Sequence, residues 1–310
     1  MIERISVIIP TYNGDRQLPQ LLSAIKKQTL KIDEILVVDS SSKDDTVSVA
    51  KSFGARVEVV PTEEFDHGGT RTLAAKMAIG DILIYFTQDA FPVNDYAIEG
   101  LIKPFSDDEA IGATFGQQIA YPDADIFFTH LREFNYPAES YLMSLKDKER
   151  RGIKAAFLSN AFSAYKKDAL AAVGWFKTSL IISEDMYIGA KLLLAGYKIS
   201  YIATSAVYHS HNYGMFQEFQ RYFDIGVLHT KENWILKEFG KAEDEGKKYL
   251  ISQLEFLSRI KKRYLLPKFL FRDIIKYMGY VLGRSFEKLP RWLNKKLSMN
   301  KNWWNKNAAL

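Results

Sequence analysis

Two unbroken apolar runs, Ile35 to Val38 and Ile82 to Phe86, are each followed within three residues by an aspartate, Asp39 and Asp89. Apolar runs without polar alternation mark strands covered on both faces, which means a parallel sheet with helices above and below. The carboxyl ends of such strands share one edge, where open α/β sheets bind ligands. Asp39 and Asp89 are therefore expected together at a binding edge.

The flanking pattern agrees. Ile5 to Ile9 is a β run expected to stop at Pro10, Thr11-Tyr12-Asn13-Gly14 reads as a loop, and Leu18, Leu21, Leu22 and Ile25 space a helical face. Strands follow at Glu34 to Asp39 and Arg56 to Val60, with a short helix to about Ala50 between them. A long loop carrying Phe65-Asp66-His67-Gly68-Gly69-Thr70-Arg71 precedes a helix through Met77, and Asp81 to Phe86 closes a βαβαβαβ series with right-handed crossovers. Residues 98 to 120 read as a helix and a strand. Residues 121 to 155 read as irregular, with the charged run Lys146 to Arg151 in a loop or surface helix. Ile188 to Leu194 is helical, capped at Gly196, and a strand resumes at Lys198. From Met215 on the pattern is helical, and Pro267 and Pro290 are expected to divide the tail into two or three helices.

Charge divides the chain in two. Residues 241–310 hold 17 Lys and Arg against 6 Asp and Glu, a net +11, so the overall +5 leaves −6 for residues 1–240. The basic tail is interleaved with Tyr249, Phe256, Tyr264, Phe269, Phe271, Tyr277, Trp292, Trp303 and Trp304, a composition suited to amphipathic helices on an anionic bilayer surface. A helical cap or a homo-oligomer contact are the alternatives. Nucleic acid is not expected, because no helix-turn-helix, zinc-finger or RNA-binding signature accompanies the charge. Cysteine is absent, which removes disulfides and thiol chemistry and fits a reducing compartment. No run of 18 uncharged apolar residues occurs and Met1-Ile2-Glu3-Arg4 starts no leader, so neither a bilayer span nor a signal peptide is expected.

Several segments carry chemistry in a fixed order. Asp39 suits an imide N–H of a pyrimidine, or serves as a turn former. In the glycine-bearing loop, Arg71 can face a phosphate or pair with a carboxylate. Glu184-Asp185 offers a carboxylate base, or first-turn charge on a helix. Val7-Ile8-Ile9-Pro10-Thr11-Tyr12-Asn13-Gly14, Asp39 followed by serines and Asp44-Asp45, the Asp89 strand end, and Glu184-Asp185 ahead of Gly196-Tyr197 closely resemble family-2 glycosyltransferases over about residues 3 to 230. Within that family, Phe65 to Arg71 and Thr87-Gln88-Asp89-Ala90 look most like bacterial rhamnosyltransferases that use dTDP-L-rhamnose.

The resemblance implies a GT-A fold, an α/β, Rossmann-like, mostly parallel sheet flanked by helices. It spans residues 1–240, with residues 241–310 as a basic helical extension. It places Pro10, Thr11, Tyr12, Asn13, Asp39, Asp66, Gly68, Arg71, Gln88 and Arg221 around the nucleotide sugar, with His67 in the same loop. Asp89 stands where the family's Asp-x-Asp motif binds Mg²⁺ or Mn²⁺, but Thr87 replaces the first carboxylate. His209, 24 residues after Asp185, is the implied second ligand, with His211 as fallback. Asp185 is the implied general base and Glu184 its support, giving inversion. The implied partners are dTDP-rhamnose and a saccharide on a polyprenyl diphosphate, met at the cytoplasmic face of the cell membrane. A nucleotidylyltransferase is disfavoured, since no glycine-rich basic loop follows the first strand. A non-catalytic scaffold draws its argument from Thr87.

Overall fold

A computed structural model describes residues 4–240 and 242–307, and only the backbone of 242–245. The chain opens with β1 (Ile5–Thr11), α1 (Leu18–Lys26), β2 (Glu34–Asp39), α2 (Thr46–Ser52), β3 (Arg56–Val59), α3 (His67–Met77) and β4 (Ile82–Phe86). The four strands pair in parallel in the order β3-β2-β1-β4. Along β1, Val7 and Ile9 join one apolar core with α1, while Ile8 joins the opposite core with Leu36, Val38 and Tyr85. The continuous apolar runs are thus explained by burial on both faces. Pro10 does not stop β1. Pairing with β4 ends at Ile8, leaving that flank open where proline's missing N–H is tolerated.

The chain continues through β5 (Phe91–Pro92), α4 (Ala97–Ile102), α5 (Pro104–Asp107), β6 (Ile111–Ile119), α6 (Ile126–Asn135), β7 (Tyr141–Met143), α7 (Lys148–Arg151), β8 (Phe162–Lys166), α8 (Lys167–Ala172), α9 (Glu184–Leu194) and β9 (Lys198–Tyr208). The sheet extends as β4-β8-β6-β9-β5, with β7 on β9. β8 runs antiparallel to β4 and β6, β6 and β9 are parallel, and β5 and β7 are antiparallel to β9. The sheet is therefore parallel through β4 and mixed beyond it. This alternation brings the end of β9 and the start of β8 to the edge where β1, β2 and β4 end. Thr87 N donates to Ala161 O there at 3.3 Å.

Residues 121 to 155 are more regular than their sequence suggests. Asp125 caps α6 by accepting from Phe127 N, and Phe127, Phe128 and His130 are buried by packing against the tail. The Lys146 to Arg151 run takes the surface-helix alternative, in part as α7.

The remainder is helical: α10 (Met215–Lys231), α11 (Asn233–Phe239), α12 (Ala242–Arg259), α13 (Leu266–Arg284), α14 (Arg291–Leu297) and α15 (Lys301–Lys306). Four helices follow Gly240 rather than two or three. Pro267 lies in the first turn of α13, where a missing N–H is harmless, and the break falls at Lys261 with φ +58°. α13 lies against α10 at mutual glycine contacts. A Cβ on Gly283 would fall 2.0 Å from Phe223 O, and one on Gly226 would fall 2.3 Å from Tyr280 O. Trp303 and Trp304 of α15 are buried in a cluster with Leu180, Ile181, Phe223 and Val227. Among the described residues, no helix is long and apolar enough to cross a membrane.

The glycine contact predicts that Gly283→Ala destabilises the protein by about 1–3 kcal/mol despite alanine's better helix propensity. A urea melt of the full chain checks it, and an unchanged midpoint would contradict the packing argument.

Candidate active site

The turns after β1, β2 and β4 are knitted into one platform. Thr11 and Asp39 are register partners, and Thr11 Oγ1 donates to Asp39 Oδ1 at 3.0 Å. Asp39, wholly buried, also accepts from Ser42 N at 2.8 Å and from Ser42 Oγ, and so holds the turn after β2. Asn13, at φ +48°, receives Lys43 N on its Oδ1 at 2.9 Å, tying the first loop to the second. Gln88 grips the Tyr12 backbone from both sides, accepting from its N–H at 2.9 Å and donating to its carbonyl at 3.2 Å. Tyr12 itself stays 45% exposed, leaving an aromatic face beside the platform.

Next along the edge, Asp89 meets two histidines delivered by the end of β9. Asp89 Oδ1 lies 3.4 Å from His209 Nε2, and Asp89 Oδ2 lies 3.7 Å from His211 Nδ1. His209 Nδ1 stands 2.8 Å from Gln118 Oε1, which identifies Nδ1 as the protonated nitrogen. Arg132 Nε fixes the same residue by donating to its carbonyl at 2.7 Å. His209 Nε2 then presents a lone pair, is buried, and has no hydrogen-bond partner. Burial lowers the proton affinity of His209, and burial with the neighbouring His209 pushes His211 down to about 4. Both rings are neutral at pH 7. A carboxylate oxygen and two imidazole nitrogens within 4.8 Å of one another form a donor set that fits a metal ion. His211, the fallback ligand, belongs to the set. A cleft of about 570 Å³ opens on Asp89 and His211, walled by Phe91, Tyr121 and Tyr213.

A second acidic group lies at the start of α9. Ser183 precedes it in the left-handed region at φ 60°, a strained position for a non-glycine residue. Glu184 is buried and pairs through Oε1 with Arg71 Nη1 at 3.3 Å and Asn160 Nδ2 at 3.1 Å. Although burial alone would raise it, Arg71, His67 and Asn160 hold its carboxyl below the usual range. Asp185 accepts from Met186 N at 2.8 Å and Asn160 N at 3.3 Å. Burial and the ionised Glu184 raise it to about 7. Two adjacent carboxylates are thus driven apart in proton affinity, the arrangement expected of an ionised support and a base poised near neutrality.

The loop expected over Phe65 to Arg71 is already helical from His67, the first residue of α3. Asp66 is its N-cap, accepting from Gly69 N at 2.6 Å, and its other oxygen receives Ser179 N at 3.0 Å. Gly68 is required by packing, since a Cβ there would lie 1.9 Å from Lys177 O. Arg71 takes the carboxylate alternative. His67 lies close enough to Glu184 for the two charges to interact. Arg221 is exposed on α10 and forms no hydrogen bond or ion pair among the described residues. Its charge acts on His67, His209 and His211 alike. Gln118, Arg132 and Asn160 complete the site and were not anticipated. Asn160 lies in a loop without periodicity, and Arg132 and Gln118 gain meaning only from contacts 77 and 91 residues away.

Comparison with known proteins gives the family and the fold. Residues 6–174 match the model of glycosyl transferase family 2, and the chain belongs to that family. The O-antigen chain rhamnosyltransferase RfbN of Salmonella typhimurium is 40% identical over 304 residues, spanning 97% of this chain and 96% of that one. WbaN of Salmonella anatum, of the same description, is 38% identical over 97% of this chain and 95% of its own. Among solved structures, the mannosyltransferase PcManGT from Pyrobaculum calidifontis, in complex with GDP-Man and Mn²⁺, superposes with a TM-score of 0.58 at 18% identity. That likeness covers 99% of this chain and 86% of that one. Residues 1–349 of S. aureus TarS give 0.56 at 18% identity, covering 92% of each chain. These likenesses establish the GT-A fold.

The donor set predicts that Mn²⁺ raises the thermal midpoint of the wild-type protein and leaves Asp89→Asn and His209→Ala unmoved. Differential scanning fluorimetry with and without chelator tests this. An undiminished metal response in both variants would remove the cluster from consideration.

Proposed function

We propose that the chain is an inverting rhamnosyltransferase of cell-surface polysaccharide synthesis. It takes L-rhamnose from dTDP-β-L-rhamnose, and its acceptor is a saccharide carried on a polyprenyl diphosphate at the cytoplasmic face of the membrane. The product is an α-L-rhamnoside. Two near-full-length relatives described as O-antigen chain rhamnosyltransferases support the sugar and the pathway. The observation that carries the chemistry is Asp185, a carboxyl raised to about 7 beside a carboxylate held ionised.

In this reading Asp185 takes the proton from the acceptor hydroxyl as that oxygen attacks the anomeric carbon. The bond to the diphosphate oxygen breaks on the opposite side, and its electron pair leaves with dTDP. With one base and no protein nucleophile, the configuration inverts. Glu184 is pinned by Arg71 and Asn160, so its role is to keep Asp185 proton-hungry. Arg221 places positive potential where the diphosphate departs. Pro10, Thr11, Tyr12, Asn13 and Asp39 frame the nucleotide, with Gln88 and the α3 start behind them. Mg²⁺ or Mn²⁺ on Asp89, His209 and His211 would neutralise charge on the leaving diphosphate, and the imidazole donors favour Mn²⁺.

Residues 1–240 carry this chemistry, and residues 241–310 bring it to the membrane. Tyr264 is 74% exposed between Lys261, Lys262, Arg263 and Lys268, an aromatic flanked by cations as at a bilayer surface.

Asp185→Asn is expected to keep dTDP binding and lose transfer, and wild-type turnover in that variant would refute the base. The native group holds its proton at pH values where the unfolded one has lost it, so its contribution to stability falls as pH rises toward 7. The variant is therefore expected to melt higher than wild type at about pH 8 and equally near pH 4. In wild type, log kcat/KM for dTDP-rhamnose is expected to drop with unit slope below about 7. For the membrane, replacing Lys261, Lys262 and Arg263 by Glu in the full chain is expected to cut co-sedimentation with anionic vesicles at low salt by more than about tenfold. Equal retention would detach this surface from the bilayer.

A further inference from the structure

The histidine cluster and a second hollow lie on opposite sides of the same two helices. On α6, Arg132 holds His209, while the neighbouring Leu131 and Phe134 turn to a hollow of about 650 Å³. On α10, Arg221 directs its charge to the histidines, while Tyr222 and Ile225 line that hollow. Its far wall comes from α12 and α13, through Leu250, Leu270, Ile274 and Tyr277. Lys276 also reaches it, but Glu218 at 3.5 Å and Asp273 at 3.3 Å neutralise that charge. Asn135, Lys154 and Lys247 complete its polar groups, and the rest of the lining is mainly apolar and aromatic.

The hollow opens through an apolar face. Leu270, Phe271, Ile274, Tyr277, Met278 and Val281 follow helical spacing along α13 and are between 41% and 61% exposed. Leu270, Ile274 and Tyr277 belong to both the face and the hollow. Lys247 belongs to the lining, and residues 241–310, which supply α12 and α13, carry the net +11. A second copy of this chain would oppose that positive charge with its own, so the fitting occupant is an anionic amphiphile.

We propose that this hollow takes the hydrocarbon chain of the polyprenyl diphosphate that carries the acceptor, with the anionic head beside Lys247. The inference rests on the lipid-linked acceptor of the function proposed above. α12 and α13 lie on the bilayer, the lipid chain leaves it through the α13 face, and α6 and α10 form the wall shared with the reaction centre. The slot thereby selects acceptors by their lipid, not by their sugar.

The test uses the full chain and a photoreactive long-chain polyprenyl phosphate, with the labelled peptides mapped. Ile274→Trp fills the hollow at a side chain already 56% exposed, and Met278→Trp enlarges the face beside it while leaving the hollow open. Label is expected on α12 and α13, displaced by unlabelled long-chain polyprenyl phosphate. A short-chain isoprenyl phosphate, inorganic diphosphate and anionic phospholipid vesicles should not displace it. Ile274→Trp is expected to cut labelling and raise KM for the long-chain acceptor about tenfold, with kcat and both constants for a water-soluble acceptor analogue unchanged. Met278→Trp should leave all of these unchanged. Label outside the hollow, equal displacement by phospholipid or diphosphate, or equal KM effects on both acceptors would each overturn the slot. Labelling reads the slot even if no rhamnose is transferred, whereas transfer without labelling sinks the slot alone.

Discussion

The buried ion pair between Arg71 and Glu184 fixes the chemistry of this protein. Both side chains are almost fully buried, so removing either would strand a charge in a dry interior at a cost of about 3–5 kcal/mol. The pair fastens the start of α3 to the start of α9, and neighbouring contacts reinforce it. Asp66 holds Ser179 N, and Gly68 allows α3 to lie against the Lys177 carbonyl. A buried ion pair is a poor source of net stability, because desolvation consumes most of the attraction. Its consequence here is electrostatic. Glu184 stays ionised and Asp185, one residue on, cannot ionise with the same ease.

The histidine cluster answers a weakness visible in the sequence. With Thr87 in place of a second carboxylate, Asp89 alone is a thin basis for a metal site. The mixed sheet supplies what the motif lacks, because β9 ends at the same edge as β4 and delivers His209 and His211 two residues apart. Gln118 sets which nitrogen of His209 is free, as outer-sphere partners of metal-binding histidines do. Two neutral donors and one anion leave more positive charge on a bound cation than two carboxylates would, to the benefit of a diphosphate partner.

The first four strands and the aspartates at the ends of β2 and β4 were legible because each is written locally, in unbroken apolar runs and the residues that follow them. His209 was implied only by the family resemblance, and the structure sets it beside Asp89. The misreadings share one cause. Gly68 and Gly69 looked like a ligand loop because glycine marks close approach, but Gly68 approaches Lys177, more than a hundred residues away, and no local pattern says so. Asp39 also ties Thr11 to Ser42, and its bond to Thr11 crosses between strands, which no local pattern shows. Pro10 and Pro267 were read as breaks because local rules do not know which flank of a strand is open, or which turn of a helix comes first. Asn160 and Arg132 act through tertiary contacts alone.

The tail, distinct in charge, is continuous in packing with the catalytic unit. Its last segment returns to the base: Trp303 Nε1 donates to Ser179 O at 2.8 Å, Asn300 Nδ2 donates to Ile181 O, and Lys306 Nζ donates to Phe65 O at 2.8 Å. Asp224 of α10 anchors that segment by accepting from Met299 N at 3.0 Å and Asn300 N at 3.2 Å. The loop before Glu184 is therefore closed by residues at the far end of the chain. Cutting the chain near Gly240 would uncover the glycine face of α10 and free this loop together, so truncation confounds location with catalysis. Lys261 to Arg263 take part in neither contact, so charge changes there leave the glycine face and this loop in place.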